Sequence, residues 1–339
     1  MVQTPPGPVF RFRVPSYNGG MAYGDLQTAQ RDTAADTTTQ PLVSLIMTAW
    51  QPREDWFGAA VESALAQRGC DVELVLVDDG SPEPVETLLT RFEDPRLHLI
   101  RVEHGGLYRA RNAGIAAARG DYLRFIDADD VIEPDSTARL LELTGAADDV
   151  ITYGTTLRCD SELRPIGEIS STLEGNVVTD CLLSRFTVRH LSMLFPRRVV
   201  ELAGPYDVTF STSGDWDFVL RTLEHATVRG APIVATYYRS HDGQMSANLA
   251  RCEEGMELVV RRYFERHPEL RGSRLQRQAM AETQLKAARS YRGRGLRREA
   301  LRRVWAAAVL DPVTTARELG PPAARRLRRL LRKASTDSR

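Results

Sequence analysis

No lysine stands before Lys286, and that absence removes one common way of handling phosphate. A P-loop nucleotidase needs a lysine and a glycine-rich loop, and this chain offers neither in the right place. No glycine-rich turn follows the first strand-like run, which excludes a Rossmann dehydrogenase. Cys70, Cys159, Cys181 and Cys252 are scattered without Cys-x-x-Cys spacing, so neither a zinc site nor a disulfide framework is expected. They read as the reduced thiols of a cytoplasmic protein. No run of about 18 apolar residues is available to span a membrane. The first residues lack the basic, apolar and small-residue order of a signal peptide. Formal net charge is zero over 339 residues, which speaks for no nucleic-acid partner.

What the chain does have is alternation. Residues 1–40 are rich in Pro, Gly, Thr and Gln without periodicity and read as a flexible arm. From Pro41, "PLVSLIM", "VELVLV", "RLHLIR", "YLRFI" and "DVITY" read as strands. Between them lie helical patterns at "DWFGAAVESALAQ", "PVETLLTRF", "YRARNAGIAAAR" and "PDSTARLLEL". The first helix is expected to bury Trp56, Phe57, Ala60, Val61, Ala64 and Leu65 on one face. Short polar turns between alternating strands and helices imply an α/β fold, a mostly parallel sheet with helices on both faces. Ligands of such sheets bind beyond the carboxyl ends of the strands. Further on, "HLSMLF" and "PIVATYYR" read as strands, "PRRVVELAG" and "DWDFVLRTLE" as helices. From residue 251 the texture is helical to the end, with a hairpin at "LKAARSYRGRGLRREALRRVWAAAVLDP".

Two acidic turns, "VDDGS" and "IDADD", fall at strand ends. Asp127 and Asp129 are one residue apart, so both carboxylates can reach the same point above the strand. Oxygen ligands of this kind suit Mg²⁺ or Mn²⁺ sharing its shell with substrate phosphates. The other reading is an acidic turn that caps the next helix through Asp130 or Asp135. Clustered carboxylates repel one another unless something positive sits between them. A haloacid-dehalogenase phosphatase also places Asp-x-Asp after a strand, but its chemistry needs an early motif and a lysine, and both are missing. In "VLVDDGS", Asp79 either makes an ordinary turn or accepts hydrogen bonds from a ribose or base N–H. Arg109, Arg111 and Asn112 open a small-residue helix, where they can meet a nucleotide or simply lie on a helix that packs close to the sheet. Asp215 can cap its helix or take a proton from an acceptor hydroxyl. His241, in a loop after a strand, is either structural or a third metal ligand.

Taken in order, "PLVSLIMTAW", "VLVDDGS", "RARNAGIAAARGDYLRFIDADD", "SGDWDFVLR" and "YYRSHDGQMS" resemble the inverting family-2 glycosyltransferases of the GT-A fold, from about Pro41 to Ala247. The resemblance implies a GT-A catalytic domain over 41–250, with a nucleotide-sugar-binding half at 41–153 and an acceptor half at 154–250. A helical extension at 251–339 would follow. It implies that Thr48 and Trp50 border the donor base, Asp79 binds it and Arg111 lies near the nucleotide. Asp127 would contact the ribose or help hold the metal, Asp129 would coordinate Mn²⁺ or Mg²⁺, and His241 would approach the metal or the diphosphate. Asp215 matches the general base of a single in-line displacement. The donor would be a nucleoside-diphosphate sugar, most commonly UDP-linked, and the acceptor a glycan, lipid-linked or small-molecule hydroxyl. Two positions depart from the family pattern: Trp50-Gln51 replaces an aromatic-Asn pair, and Gly214 stands where an acidic residue usually precedes Asp215. An inactive nucleotide-sugar-binding or scaffold relative is the alternative.

The tail "PPAARRLRRLLRKAS" sets Leu327, Leu330 and Leu331 against Arg325, Arg326, Arg328, Arg329, Arg332 and Lys333. It reads either as a solvated helix face or as a peripheral contact with anionic lipid at the inner face of a membrane.

Overall fold

The computed structural model describes residues 42–320. The expectations of an N-terminal arm and of a basic membrane-facing tail lie outside the described residues. Apolar runs with no polar alternation form strands covered on both faces. Strands β1 (Val43–Ala49) and β2 (Val72–Asp78) are buried at every position. With β3 (Leu97–Arg101) and β4 (Tyr122–Asp127) they form a parallel half-sheet in the order β3-β2-β1-β4. The other half is mixed. It contains β5 (Val131–Ile132), β6 (Val150–Cys159), β7 (Pro165–Ile169), β8 (Met193–Pro196) and β9 (Thr227–Arg239), and the full order runs β3-β2-β1-β4-β8-β6-β9-β5 with β7 beside β6. Strand β8 enters antiparallel to both β4 and β6, whereas β6 and β9 run parallel.

Two helices cover opposite faces of the parallel half. Helix α1 (Glu54–Leu65) presses Phe57, Ala60, Val61 and Ala64 onto Val43, Leu45 and Met47. Helix α2 (Leu107–Ala117) lies against the face that carries Ile46: a Cβ at Gly114 would stand 2.4 Å from the Ile46 Cγ2. Only a glycine allows that approach. Trp56 does not join the core patch expected of α1; it is half-buried and faces the site described below. The helix expected at 84–92 shortens to a 3₁₀ turn, Val85–Leu89. Pro84 before it and Pro95 after it leave too few residues to nucleate a longer α-helix. Helix α3 (Ser136–Thr144) begins after Asp135, but the Asp135 side chain makes no cap bond and instead accepts from the Arg68 Nε at 3.1 Å.

The opposite end of the sheet, away from the acidic turns, is pinned by a buried carboxylate. Glu73 accepts from the Ser44 hydroxyl and the Arg119 N–H, both at 2.6 Å, and from the Arg119 guanidinium at 2.8 Å. Burial opposes its ionisation, but these donors outweigh burial and hold its pKa below the ordinary value.

The described chain forms two compact units, the first made of 42–177, 187–208 and 221–241, the second of 178–186, 209–220 and 242–320. The remaining helices are α4 (Val178–Leu182), α5 (Arg197–Ala203), α6 (Gly214–Leu223), α7 (Leu249–Arg266), α8 (Arg274–Gly293) and α9 (Arg297–Leu310). In the second unit, α8 and α9 form the expected hairpin, with Ala281, Leu285 and Ala307 at its seam. Buried Glu253 on α7 ties the hairpin down, accepting from the Tyr291 hydroxyl at 3.1 Å and from Arg303. All four cysteines are free thiols. No described helix is long and apolar enough to cross a membrane.

Candidate functional site

Register builds the site. In the parallel half-sheet Thr48 on β1 sits opposite Asp127 on β4, and Ala49 opposite Asp78 on β2. The carboxyl ends of three neighbouring strands therefore release their acidic turns side by side, which places "VDDGS" and "IDADD" where a ligand would bind.

After β4 the chain makes a tight turn, closed by the Asp130 N–H donating to the Asp127 carbonyl at 3.1 Å. This turn brings carboxylate oxygens of Asp127, Asp129 and Asp130 within 4.8 Å of one another. Asp127 is held by the Arg111 guanidinium at 2.7 Å, and Arg111 itself is buried. Asp129 is 34% exposed and accepts from the His241 Nε2 at 2.9 Å. Burial, and next the charge of Asp127, push the Asp129 carboxyl up; the His241 bond works against them. Asp130 is fully buried, and burial followed by the charges of Asp129 and Asp127 raises it well above the usual carboxylate range. One of its oxygens accepts from the Arg239 N–H at 2.8 Å, and the other has no hydrogen-bond partner among the described residues. Three hard oxygen donors close together, with the Asp129 and Asp130 carboxyls pushed up by burial and neighbouring charge and one buried Asp130 oxygen unsatisfied, fit a divalent cation.

The second acidic turn is organised differently. Buried Asp78 accepts from the Ser81 N–H at 2.9 Å and from Arg101, which fixes the turn. Asp79 accepts from the Gly105 and Gly106 N–H groups at 2.9 and 3.0 Å, clamping the loop that leads into α2. Gly80 makes this possible: its φ is +66°, and a Cβ there would lie 2.6 Å from the His104 nitrogen. His104 Nδ1 stands 3.0 Å from the Asp79 carboxylate, and its ring stacks on Trp50 with centroids 4.9 Å apart. Trp50 is 51% exposed, so this pair presents a flat aromatic surface to solvent beside Asp79. Asn112 takes no part in the site. Its amide donates to the Tyr206 carbonyl at 2.9 Å and accepts from the Tyr206 N–H at 2.8 Å, locking α2 to the loop after α5.

Three residues here were not among the expected site residues: Trp56, read as a core position of α1, His104, and Arg239, which lies within the quoted motif "YYRSHDGQMS". The Trp56 ring meets His241 at 4.8 Å and is approached by the guanidinium groups of Arg53 and Arg239, at 4.3 and 4.9 Å from its centroid. Buried Arg239 donates to the Asp129 carbonyl at 2.9 Å and to the Ser161 carbonyl. An arginine inside an apolar strand, two residues before His241, was the available signal.

Seven of the expected residues, Thr48, Trp50, Asp79, Arg111, Asp127, Asp129 and His241, belong to the first unit, while Asp215 belongs to the second. Asp215 lies within the first turn of α6 and so does not occupy the cap position before it.

A sequence model described as Glycosyl transferase family 2 matches residues 44–195. The chain is 30% identical over 308 residues to the succinoglycan biosynthesis protein ExoO of Rhizobium meliloti, covering 86% of this chain and 87% of that protein. It is 28% identical over 192 residues to a PGL/p-HBAD biosynthesis glycosyltransferase of Mycobacterium bovis, covering 55% of this chain and 72% of the relative. Among solved structures, S. aureus TarS 1-349 matches with a TM-score of 0.55 at 13% identity, over 81% of this chain and 82% of that one. The same fragment in complex with UDP-GlcNAc matches at 0.54 and 12% identity, over 79% and 91%. At such identities the likeness is one of fold.

Proposed function

Because the chain belongs to glycosyl transferase family 2 and has the GT-A fold, we propose that it moves a sugar from a nucleoside diphosphate, UDP first among candidates, to an acceptor hydroxyl with inversion. The chain is a glycosyltransferase; its donor, metal dependence and stereochemistry are the proposed part. The observation that carries this reading is the three-carboxylate turn at the end of β4, where carboxylate oxygens of Asp127, Asp129 and Asp130 lie within 4.8 Å of one another. The UDP-GlcNAc complex of the TarS fragment supports a nucleotide-sugar donor.

Mn²⁺ or Mg²⁺ held by Asp127 and Asp129, with His241 as a further ligand, would supply Lewis-acid stabilisation of the leaving diphosphate. The chain's own groups do the rest. Trp50 and His104 offer a stacking face for the base, with Thr48 and Asp79 bordering it. Arg111 pairs with Asp127 and so holds its carboxylate in place. Arg239 holds the acidic turn in place, its backbone N–H donating to the Asp130 carboxylate and its guanidinium to the Asp129 carbonyl. Asp215 takes the proton of the acceptor hydroxyl as that oxygen attacks the anomeric carbon opposite the departing diphosphate. The acceptor is a hydroxyl of a glycan, a lipid-linked saccharide or a small molecule.

A thermal-shift screen of UDP, TDP and GDP sugars, with and without Mn²⁺, tests the donor assignment. One nucleotide sugar is expected to raise the melting temperature in a Mn²⁺-dependent way. Equal melting with every donor, metal present or absent, would remove the reading.

A further inference from the structure

Helix α9 is amphipathic in an unusual sense: the apolar residues are on both sides. It turns Ala300, Ala307 and Ala308 inward, with Val304 and Leu310 partly buried at the seam with α8. Leu301, Trp305 and Val309 point the other way and are 69%, 41% and 64% exposed. Their i, i+4, i+8 spacing makes one continuous stripe. Arg298 and Arg302 are exposed three residues before Leu301 and Trp305, on the same side of the helix, and exposed Arg297 adjoins them. The one acid of α9, Glu299, is half-buried off the stripe. Leu296 precedes the helix exposed. Asp311 then ends it and caps the next helical segment through the Val313 and Thr314 N–H groups at 3.0 and 3.1 Å, leaving Val313 exposed at the same four-residue spacing.

We propose that this outer face of α9 docks the enzyme on an anionic lipid surface. Charge decides the occupant. The face combines large apolar side chains with arginines and carries no exposed carboxylate, so an anionic bilayer complements it twice, through headgroups and through the acyl boundary. A tryptophan in the middle of the stripe suits that boundary, because its ring is apolar and its N–H is polar. A second copy of the chain would bring arginines against arginines.

The test uses the full chain and vesicles of phosphatidylcholine with or without phosphatidylglycerol. Binding is expected only to the anionic vesicles and is expected to fall with salt. Leu301→Glu with Trp305→Glu should lower the bound fraction's affinity on the order of tenfold. Arg298→Gln with Arg302→Gln, which disturbs no packing, should weaken binding and flatten its salt dependence. Brominated acyl chains should quench tryptophan fluorescence in the wild type, and Trp305→Phe should abolish that quenching. Undiminished vesicle binding by the folded glutamate variant would overturn the proposal, as would quenching that survives Trp305→Phe. So would sedimentation velocity showing that the glutamate variant turns a dimer into a monomer while its lipid binding stays intact.

Discussion

Asp129 and Asp130 are neighbours with opposite exposures, and the difference assigns their work. Asp129 keeps a third of its side chain open and meets His241, while Asp130 is sealed behind it and receives the Arg239 N–H. Removing the exposed carboxylate, the one proposed to hold the metal, should therefore end catalysis without unfolding the protein. Asp129→Ala is expected to lose Mn²⁺-dependent donor turnover by at least about a hundredfold, measured as nucleoside-diphosphate release. Turnover at the wild-type rate would sink the metal assignment. Arg239 holds the turn through its backbone N–H to the Asp130 carboxylate and its guanidinium to the Asp129 carbonyl, and a guanidinium, all donors, cannot ligate a cation, so its role is to position. Arg239→Gln should weaken Mn²⁺ affinity by about tenfold, read from Mn²⁺ titration of the melting temperature; an unmoved titration curve would show that the turn holds its shape alone. Asp127 and Asp129 were legible as a one-residue-spaced pair after an apolar strand. His104 was not, because its place beside Asp79 and Trp50 depends on partners far from it in the chain, a separation no local pattern encodes.

At the scale of elements, the strands were plain and the helices less so. Runs such as β1 and β2, apolar without alternation, admit few structures other than covered parallel strands. Helix α1 shows the limit: Trp56 fits the apolar face by spacing, yet it lies at the border of that face and turns to His241 and two arginines. Periodicity locates a face to within a residue or so and does not say where the neighbouring sheet stops. The far end of β2 offers a test of element docking. Because Glu73 has a pKa below its ordinary 4.5 in the folded chain, its ionised form stabilises the fold. That contribution is complete above the unfolded value and is lost as pH falls through the folded one. Glu73→Gln should cost about 2 kcal/mol at pH 7, measured by urea denaturation, and the gap to wild type should narrow steadily below about pH 4.5. A gap independent of pH would mean that packing, not charge, holds that corner.

At the scale of the whole molecule, the chain separates into two compact units, and the residue proposed as general base is carried by the second. A kinetic experiment asks whether both serve one reaction. Asp215→Asn should bind donor as the wild type does, with an unchanged Mn²⁺-dependent thermal shift, while transfer to acceptor falls by about a hundredfold or more; normal transfer would give the base role to another group. By itself the order of motifs along the chain determined the fold class, the strand ends that matter and the acidic pair, because hydrophobic pattern and turn chemistry are local properties. Tertiary structure alone decided which carboxylate is buried, that Arg111 pairs with Asp127, that Trp50 and His104 stack, and that Asn112 serves packing. Those outcomes depend on desolvation and on distances between groups remote in sequence, and both exist only once the sheet has brought its strand ends together.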